Sequence, residues 1–333
     1  MRPPALPRRP VLSLGCLTLV CLTLACGEPL AARTAAPGPA PVRVIVEPEA
    51  GAAAVRGLLA AARRSLWMEM YLLTDSETID ALVARRRAGV DVRVVLEPHP
   101  WEADGANDAA FARLATAGAL VAWASPRYAL THAKVAVVDH ARLVVLTLNL
   151  TRAGLGGNRE YAVVDDDARD VADAEAVVTA DLAGEAAPAA RGRLLESPTS
   201  TRPALAAAVA RAAHVVSVEM EELSDAALVD ALAAAAGRGC AVSAALPAAA
   251  ASAATSAAAR RLAASGATVR LVDAPQIHAK AVVADDWLYV GSANLTTASL
   301  DANREVGLAL RDADARRIVA GTIADDLARG RAP

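Results

Sequence analysis

Lysine is almost missing from this chain of 333 residues, which has two against 32 arginines. Aromatic residues are scarce as well, with one Phe, four Trp and four Tyr, so the interior must be filled chiefly by Ala, Val and Leu. Of four cysteines, Cys16, Cys21 and Cys26 fall in the first 26 residues and Cys240 stands alone. One remaining thiol excludes an internal disulfide and a cysteine-cluster metal centre. Cys240 reads as a small buried residue in a strand. No His-Glu-x-x-His is present, and the Asp165-Asp166-Asp167 run reads as a solvated acid patch at a helix start. Past the N-terminus no apolar stretch approaches the roughly twenty residues of a membrane span. The alanine-rich stretch 248–259 is broken by Ser and Thr.

Both lysines stand two places after a histidine, in His132-Ala133-Lys134 and His278-Ala279-Lys280. On a solvated surface Lys and Arg interchange freely. They do not where a compact ammonium must reach one phosphate oxygen, because guanidinium is a broad planar fork. The pairing points to a site, used twice.

Arg2, Arg8 and Arg9 precede an apolar run from Val11 to Ala25, about one export-signal core in length. The run ends in Leu22-Thr23-Leu24-Ala25-Cys26-Gly27, which resembles a bacterial lipoprotein cleavage box with Cys26 as the lipidated residue. Thr23 stands where that box usually has leucine, and an ordinary secretory signal cleaved before Pro37 is the alternative. Residues 1–26 are thus expected to be a signal and 27–42 a linker, rich in Ala, Pro and Gly. Without the signal the chain has 31 basic and 37 acidic residues, a formal charge of −6. An acidic chain is a poor sequence-independent binder of nucleic acid, which needs a basic face.

The remaining chain repeats itself. Ser65 to Leu72 is answered by Val215 to Met220, and each is followed by a helical pattern, Asp75 to Ala88 and Ser224 to Gly237. A strand follows in each, Val90 to Leu96 and Cys240 to Leu246, and both copies then lead to the His-x-Lys segment. The histidines are 146 residues apart and Glu69 and Glu219 are 150 apart, which marks a duplicated unit. Strands alternating with helices of ten or more residues predict α/β layers around a sheet. Pro, Ser, Thr and Gly gather at 188–203, and the boundary is expected there: 43–190 and 191–333.

Downstream of each His-x-Lys come Asp139 or Asp285, then Leu146-Thr147-Leu148-Asn149 or Gly291-Ser292-Ala293-Asn294, then Asn158-Arg159-Glu160 or Asn303-Arg304-Glu305. The runs 131–138 and 277–284 read as strands, placing His and Lys at i and i+2 on one face. Asp139 and Asp285 have the opposite parity and are expected to tie down the strand end. Thr147 with Asn149, and Ser292 with Asn294, are expected to share a face of the next strand.

These residues in these spacings resemble the phospholipase D superfamily, whose signature is H-x-K-x4-D followed by G-S-x-N. The resemblance runs from about Val44 to about Leu327. One departure stands out: Leu146 and Thr147 replace Gly-Ser, and Asn149 comes ten residues after its Asp rather than nine. A one-residue insertion in the turn absorbs the difference.

The resemblance implies two tandem α/β domains, each a mixed sheet flanked by helices, pseudo-twofold related, with one active site at their interface. It implies a phosphodiesterase with His132 as nucleophile, forming a phosphohistidine, and His278 as general acid. A phosphodiester anion repels nucleophiles, so its charge must be neutralised and spread. Lys134 and Lys280 suit that task, with Asn149, Asn294, Ser292 and Thr147 as substrate-binding donors. Glu160 and Glu305 would orient an imidazole. The scheme calls for no metal or cofactor.

Hydrolysis or transphosphatidylation of phospholipids by an exported, anchored monomer at a membrane surface is the leading expectation. The alternatives are a metal-independent periplasmic nuclease of the same superfamily and a non-catalytic anchored phosphate- or lipid-binding protein. Glu69 and Glu219 read equally as buried acids or site residues. His99, His140 and His214 read as structural or solvent-facing, Trp67, Tyr71 and Trp101 as core with the lining of a lipid entrance as the alternative, and the arginine clusters as solvated helix faces.

Overall fold

Asp75 and Asp225 start equivalent helices in the two halves of the chain. Each carboxylate accepts the amide three residues on, Thr78 N at 2.9 Å and Leu228 N at 3.1 Å, satisfying a donor the helix cannot. A computed structural model describes residues 41–249 and 252–333. The expected signal at 1–26, the lipidation site Cys26 and the linker up to residue 40 lie outside the described residues.

The first half runs β1 (Arg43–Glu47), α1 (Ala52–Ala60), β2 (Ser65–Met70), α2 (Ser76–Arg87), β3 (Asp91–Leu96), α3 (Asp108–Thr116) and β4 (Leu120–Trp123). It closes with β5 (Lys134–Val138), β6 (Arg142–Leu146), β7 (Asn158–Asp165) and α4 (Ala168–Ala183). The second half repeats this as β8 (Leu194–Ser197), α5 (Thr201–Arg211), β9 (Val215–Met220), α6 (Ala226–Gly237), β10 (Ala241–Pro247), α7 (Ala253–Ala264) and β11 (Thr268–Val272). A short β12 (Gln276–Ile277) precedes β13 (Lys280–Ala284), β14 (Trp287–Gly291), the short α8 (Thr297–Asp301), β15 (Glu305–Leu310) and α9 (Ala313–Arg329).

The sheets have one topology. In strand order the first is β1-β7-β6-β5-β2-β3-β4 and the second β8-β15-β14-β13-β9-β10-β11. Within each, three strands run parallel and the rest antiparallel, so both are mixed sheets. One apolar cluster joins Val135, Val137 and Val145 of the first sheet to Ala281, Val283 and Val290 of the second. The inner faces, made of Ala and β-branched residues, bury each other and the flanks of α4 and α9. Among the described residues no helix is long and apolar enough to cross a membrane.

Two details correct the sequence reading. The histidines do not lie within strands: β5 and β13 begin at the lysines. Just before each histidine the chain touches the opposite half instead. Ile277 pairs with Arg159 on β7, and Thr131 bridges to Arg304. The hydroxyl and asparagine pairs likewise lie just past the ends of β6 and β14, not on them. The expected insertion sits in a hairpin: 139–141 connect β5 to β6, whereas Asp285 and Asp286 alone connect β13 to β14.

The Leu-Thr departure has a packing cause. Tyr289 on β14 is fully buried; a Cβ on Gly291 would lie 2.5 Å from Gly307 Cα, 2.8 Å from Val306 O and 2.6 Å from the tyrosine's hydroxyl. A Cβ on the facing Gly307 would meet its ring at 2.4 Å. In the first half the equivalent three residues are Val144, Leu146 and Ala162. A small residue replaces the tyrosine, and larger ones replace the glycines.

The Asp165–Asp167 run is not a solvated patch. Asp165 is fully buried against Arg193 at 2.8 Å, and Asp167 caps α4. Cys240 is buried, immediately before β10.

Candidate active site

The crossing segments present each histidine to the other half. His132 N donates to Arg304 O at 2.9 Å, and His278 N to Arg159 O at 3.3 Å. The next residue in each acceptor strand is the glutamate. Glu305 therefore meets His132 Nδ1 at 3.0 Å, and Glu160 Oε1 lies 2.6 Å from His278 Nδ1. The first contact is aligned as a hydrogen bond; the second is close but off-axis. Both carboxylates are fully buried. Burial raises the Glu305 pKa, but the hydrogen-bonded His132 ring and the nearby Lys134 outweigh it and hold the carboxylate below its usual range.

Thr147 and Ser292 stand behind these glutamates. Thr147 Oγ1 donates to Glu160 Oε2 at 2.6 Å and accepts from Tyr161 N at 2.8 Å. Ser292 Oγ accepts from Val306 N at 3.0 Å and helps hold Glu305 ionised. Neither hydroxyl is exposed, which corrects their expected place among the groups facing substrate. The insertion left Thr147 in the register of Ser292. Asn149 and Asn294 do reach the cleft.

The lysines are fully buried and do not share one environment. Lys134 Nζ donates to His132 O at 2.7 Å and lies 5.0 Å from the centre of the Tyr71 ring. Burial and the nearby Lys280 charge push its pKa down to about 7. Lys280 Nζ donates to His278 O at 2.6 Å and meets Glu221 Oε2 at 2.7 Å. Glu221 Oε1 also faces His278 Nε2 at 3.4 Å. Lys280 and His278 hold this carboxylate far below its ordinary pKa despite its burial.

Glu221 is a site residue that the sequence reading missed. The register shows its place: Met70 pairs with Lys134 and Met220 with Lys280, so Tyr71 and Glu221 follow at the same point of equivalent strands. Aligning the two halves residue by residue would have set Glu221 opposite Tyr71. Tyr71 is likewise no core filler, since its ring packs edge-on against His132 at 4.6 Å. Trp101, 75% exposed, stands over it, with Trp101 N donating to Tyr71 Oη.

Arg159 and Arg304, in the triplets that carry the glutamates, are the largest fully buried side chains. Arg304 Nε meets Asp181 of α4 at 2.7 Å and Arg304 Nη1 meets Glu196 of β8 at 2.6 Å. Arg159 Nε meets Asp326 of α9 at 2.5 Å, and its Nη1 donates to Glu47 O at 2.7 Å. Each arginine thus ties its own strand to the last helix of the other half. Glu69 and Glu219 are fully buried and do not line the cleft; burial raises the pKa of both, Glu219 accepts from Tyr161 Oη, and Glu69 has no hydrogen-bond partner among the described residues.

Asp139 and Asp285 point away from the cleft, both with positive φ, 58° and 49°. Asp139 accepts from the amides of Arg63, Arg64 and Ser65, and Asp285 from those of Ala213, His214 and Val215. Each pins the start of the neighbouring strand to its hairpin.

His132, His278, Asn149, Asn294, Glu221 and Tyr71 line one cleft of about 560 Å³. Two imidazoles and two amides from the two halves of a duplicated α/β fold line this cleft, and each buried lysine is bonded to the carbonyl of its own histidine. The family described as cardiolipin synthase, phospholipase D-like domain, matches residues 55–182 and 205–326, and the chain belongs to it. Members of that superfamily are phosphodiesterases and phospholipid-modifying enzymes.

No curated protein sequence matches the chain. Among solved structures, polyphosphate kinase from Porphyromonas gingivalis is 18% identical over 91% of this chain, with a TM-score of 0.70. This chain spans about half of that kinase, 52%. Phosphatidylserine synthase from Haemophilus influenzae is 11% identical over 86% of both chains, with a TM-score of 0.66. A phospholipase D family member, Nuc from Salmonella typhimurium, is 27% identical over 44% of this chain and 96% of its own, with a TM-score of 0.41. The first two likenesses show the fold.

Proposed function

We propose that the chain is a phospholipase D-type phosphodiesterase, hydrolysing phospholipids or transferring their phosphatidyl group to another alcohol through a phosphohistidine. One observation carries this reading: His132 and His278, from opposite halves, open onto one cleft, each with Nδ1 against a buried carboxylate of the other half. A carboxylate at Nδ1 fixes ring orientation and tautomer and leaves Nε2 for the reaction.

His132 is the nucleophile in this reading. Burial and the two lysines lower its pKa, which favours the neutral ring with a free lone pair on Nε2. Nε2 attacks phosphorus, the P–O bond to the headgroup breaks, and His278 gives its proton to the departing oxygen. Water then attacks the phosphohistidine and passes a proton to His278. The P–N bond breaks, and phosphatidate leaves. Lys134, Lys280, Asn149 and Asn294 hold the non-bridging oxygens as charge shifts onto them.

A lipid fits better than nucleic acid. Without residues 1–26 the chain carries a formal charge of −6, and an exposed indole, Trp101, stands at the cleft. An export signal with a lipid anchor at Cys26 completes this reading by holding the enzyme at a membrane surface.

The test is a product assay with the purified chain and no added metal, offering phosphatidylcholine vesicles and plasmid DNA in parallel. Phosphatidate with intact plasmid is expected. Nicked plasmid with intact lipid would make the chain a nuclease. Vesicle binding without product or acid-labile phosphohistidine would make it a non-catalytic binder.

A further inference from the structure

Three groups that would hold a phosphate oxygen already hold another anion. Glu221 Oε2 meets Lys280 Nζ at 2.7 Å and Asn294 Nδ2 at 3.2 Å, and Glu221 Oε1 faces His278 Nε2 at 3.4 Å. An ammonium has three donors. Two of those of Lys280 are directed at His278 O and Glu221 Oε2, at 2.6 and 2.7 Å, and the third faces His278 Nδ1 at 3.1 Å, whose own proton goes to Glu160. The ammonium is fully buried and Glu221 stands between it and the cleft, so a phosphate oxygen can reach it only if a partner withdraws. His278 O is backbone and Nδ1 belongs to a ring seated on Glu160, so the partner free to swing is Glu221, at the cleft wall. The equivalent place in the first half holds Tyr71, and among the described residues no carboxylate lies within ion-pair distance of Lys134.

We propose that the Glu221 carboxylate is a built-in surrogate for the substrate phosphate, which a phosphodiester monoanion displaces and which excludes phosphomonoester dianions and free phosphate. This rests on the phosphodiesterase reading and names the substrate charge that the site accepts. A displaced Glu221 stays tethered beside the cleft, so it repels whatever anion took its place. A diester feels that repulsion with one charge. A phosphomonoester, with a second pKa near 6, feels it with nearly two at neutral pH, and inorganic phosphate, a weaker second acid, with between one and two.

The same carboxylate clears the product. Hydrolysis of the phosphohistidine leaves a phosphomonoester, which loses its second proton to solvent and becomes the anion that Glu221 opposes most. As the monoester leaves, Glu221 returns to Lys280 and Asn294.

Calorimetric titration of inorganic phosphate and of dimethyl phosphate into the wild-type chain and into Glu221→Gln tests this without turnover. The variant should bind inorganic phosphate about tenfold more tightly or better, with a smaller gain for dimethyl phosphate. Glu221→Tyr, which places there the residue of the first half, should show the same order if the glutamine variant folds poorly. Unchanged phosphate affinity, or equal gains for both ligands, would overturn the proposal. Absence of turnover on every diester would remove the phosphodiesterase reading, while these titrations would still report on Glu221.

Discussion

Glu305 of the second half holds Nδ1 of His132 of the first half at 3.0 Å, and Arg304 O holds the same residue's amide at 2.9 Å. The orienting machinery of each histidine therefore belongs to the other half. Glu305→Gln keeps the size but replaces the anion with an amide that can present the wrong atom to the ring. We expect kcat on a diester to fall about 10²-fold or more, the order seen when an orienting partner of a catalytic group is removed. Glu160→Gln should act alike on His278. Steady-state kinetics beside a melting curve decide it: full activity in a folded variant would refute the cross-half arrangement.

Lys134 is fully buried, with no carboxylate at ion-pair distance among the described residues. Such an ammonium stabilises a bound phosphate at the expense of the fold. Lys134→Met has nearly the same shape and no charge. We expect it to raise stability at pH 6 by about 1 kcal/mol or more while abolishing turnover. Equal or lower stability in urea unfolding would show that Tyr71 and His132 O compensate the charge.

The gain must depend on pH, with a definite sign. The folded-state pKa of Lys134 is about 7 against an ordinary value of 10.5. Between those values the unfolded chain holds a proton that the folded chain has lost, so stability rises with pH across that window. The penalty is full below pH 7 and fades toward 10.5. The stability difference between Lys134→Met and wild type should shrink steadily from pH 7 to pH 9.5. A difference that grows over that range would reverse the assignment.

Much of this was legible in the sequence, because the duplication shows every motif twice. Helices α2 and α6, the Asp75 cap, strands β3 and β10 and the hairpin insertion follow from local chemistry: an acid before an apolar 3.6-residue pattern, or a count of residues between motifs. The second of these helices is capped by Asp225, one residue past the expected Ser224. The crossing of the chain before each histidine did not, because Thr131 and Ile277 read as ordinary β-branched strand residues whichever sheet they join. In the sequence Arg159 and Arg304 stand out only as the middle residues of the repeated Asn-Arg-Glu triplet. Nothing local distinguishes a buried arginine from a solvated one when its acids, Asp326 and Asp181, come from the other half. Asp165 was misread for a related reason, since Arg193, which neutralises it, is 28 residues away. Glu221 departs from the repeat, so what the two halves share does not reveal it.

Arg304 has a structural task and a positional one, and two variants separate them. Arg304→Met leaves Asp181 and Glu196 without their partner in a fully buried place. That should cost about 3–5 kcal/mol and lower the melting temperature sharply. Arg304→Lys keeps the charge but cannot meet both carboxylates with a planar fork. The strand should then shift slightly, carrying the carbonyl that holds His132 N and the adjacent Glu305. We expect the lysine variant to fold with a modest loss of stability, a kcat lowered about tenfold or more and a nearly unchanged KM. A loss confined to KM, or kcat equal to wild type, would show that the strand is held by its neighbours alone.

Gly291 offers a test of why the halves differ where they should be most alike. Its missing Cβ leaves room for the buried Tyr289 hydroxyl, 2.6 Å from where that Cβ would stand. Leu146 occupies the equivalent position in the first half because Val144 stands in place of the tyrosine. Gly291→Leu alone should therefore overpack the second sheet and cost about 1–3 kcal/mol or more. Gly291→Leu combined with Tyr289→Val removes the contact with the hydroxyl and should recover part of that loss, the rest staying with Gly307 Cα and Val306 O, 2.5 and 2.8 Å from the new Cβ. Coupling of this kind is read from a double-mutant cycle on chemical unfolding. If Tyr289→Val and Gly291→Leu simply add, the two sites are independent and the packing account of the Leu-Thr departure fails.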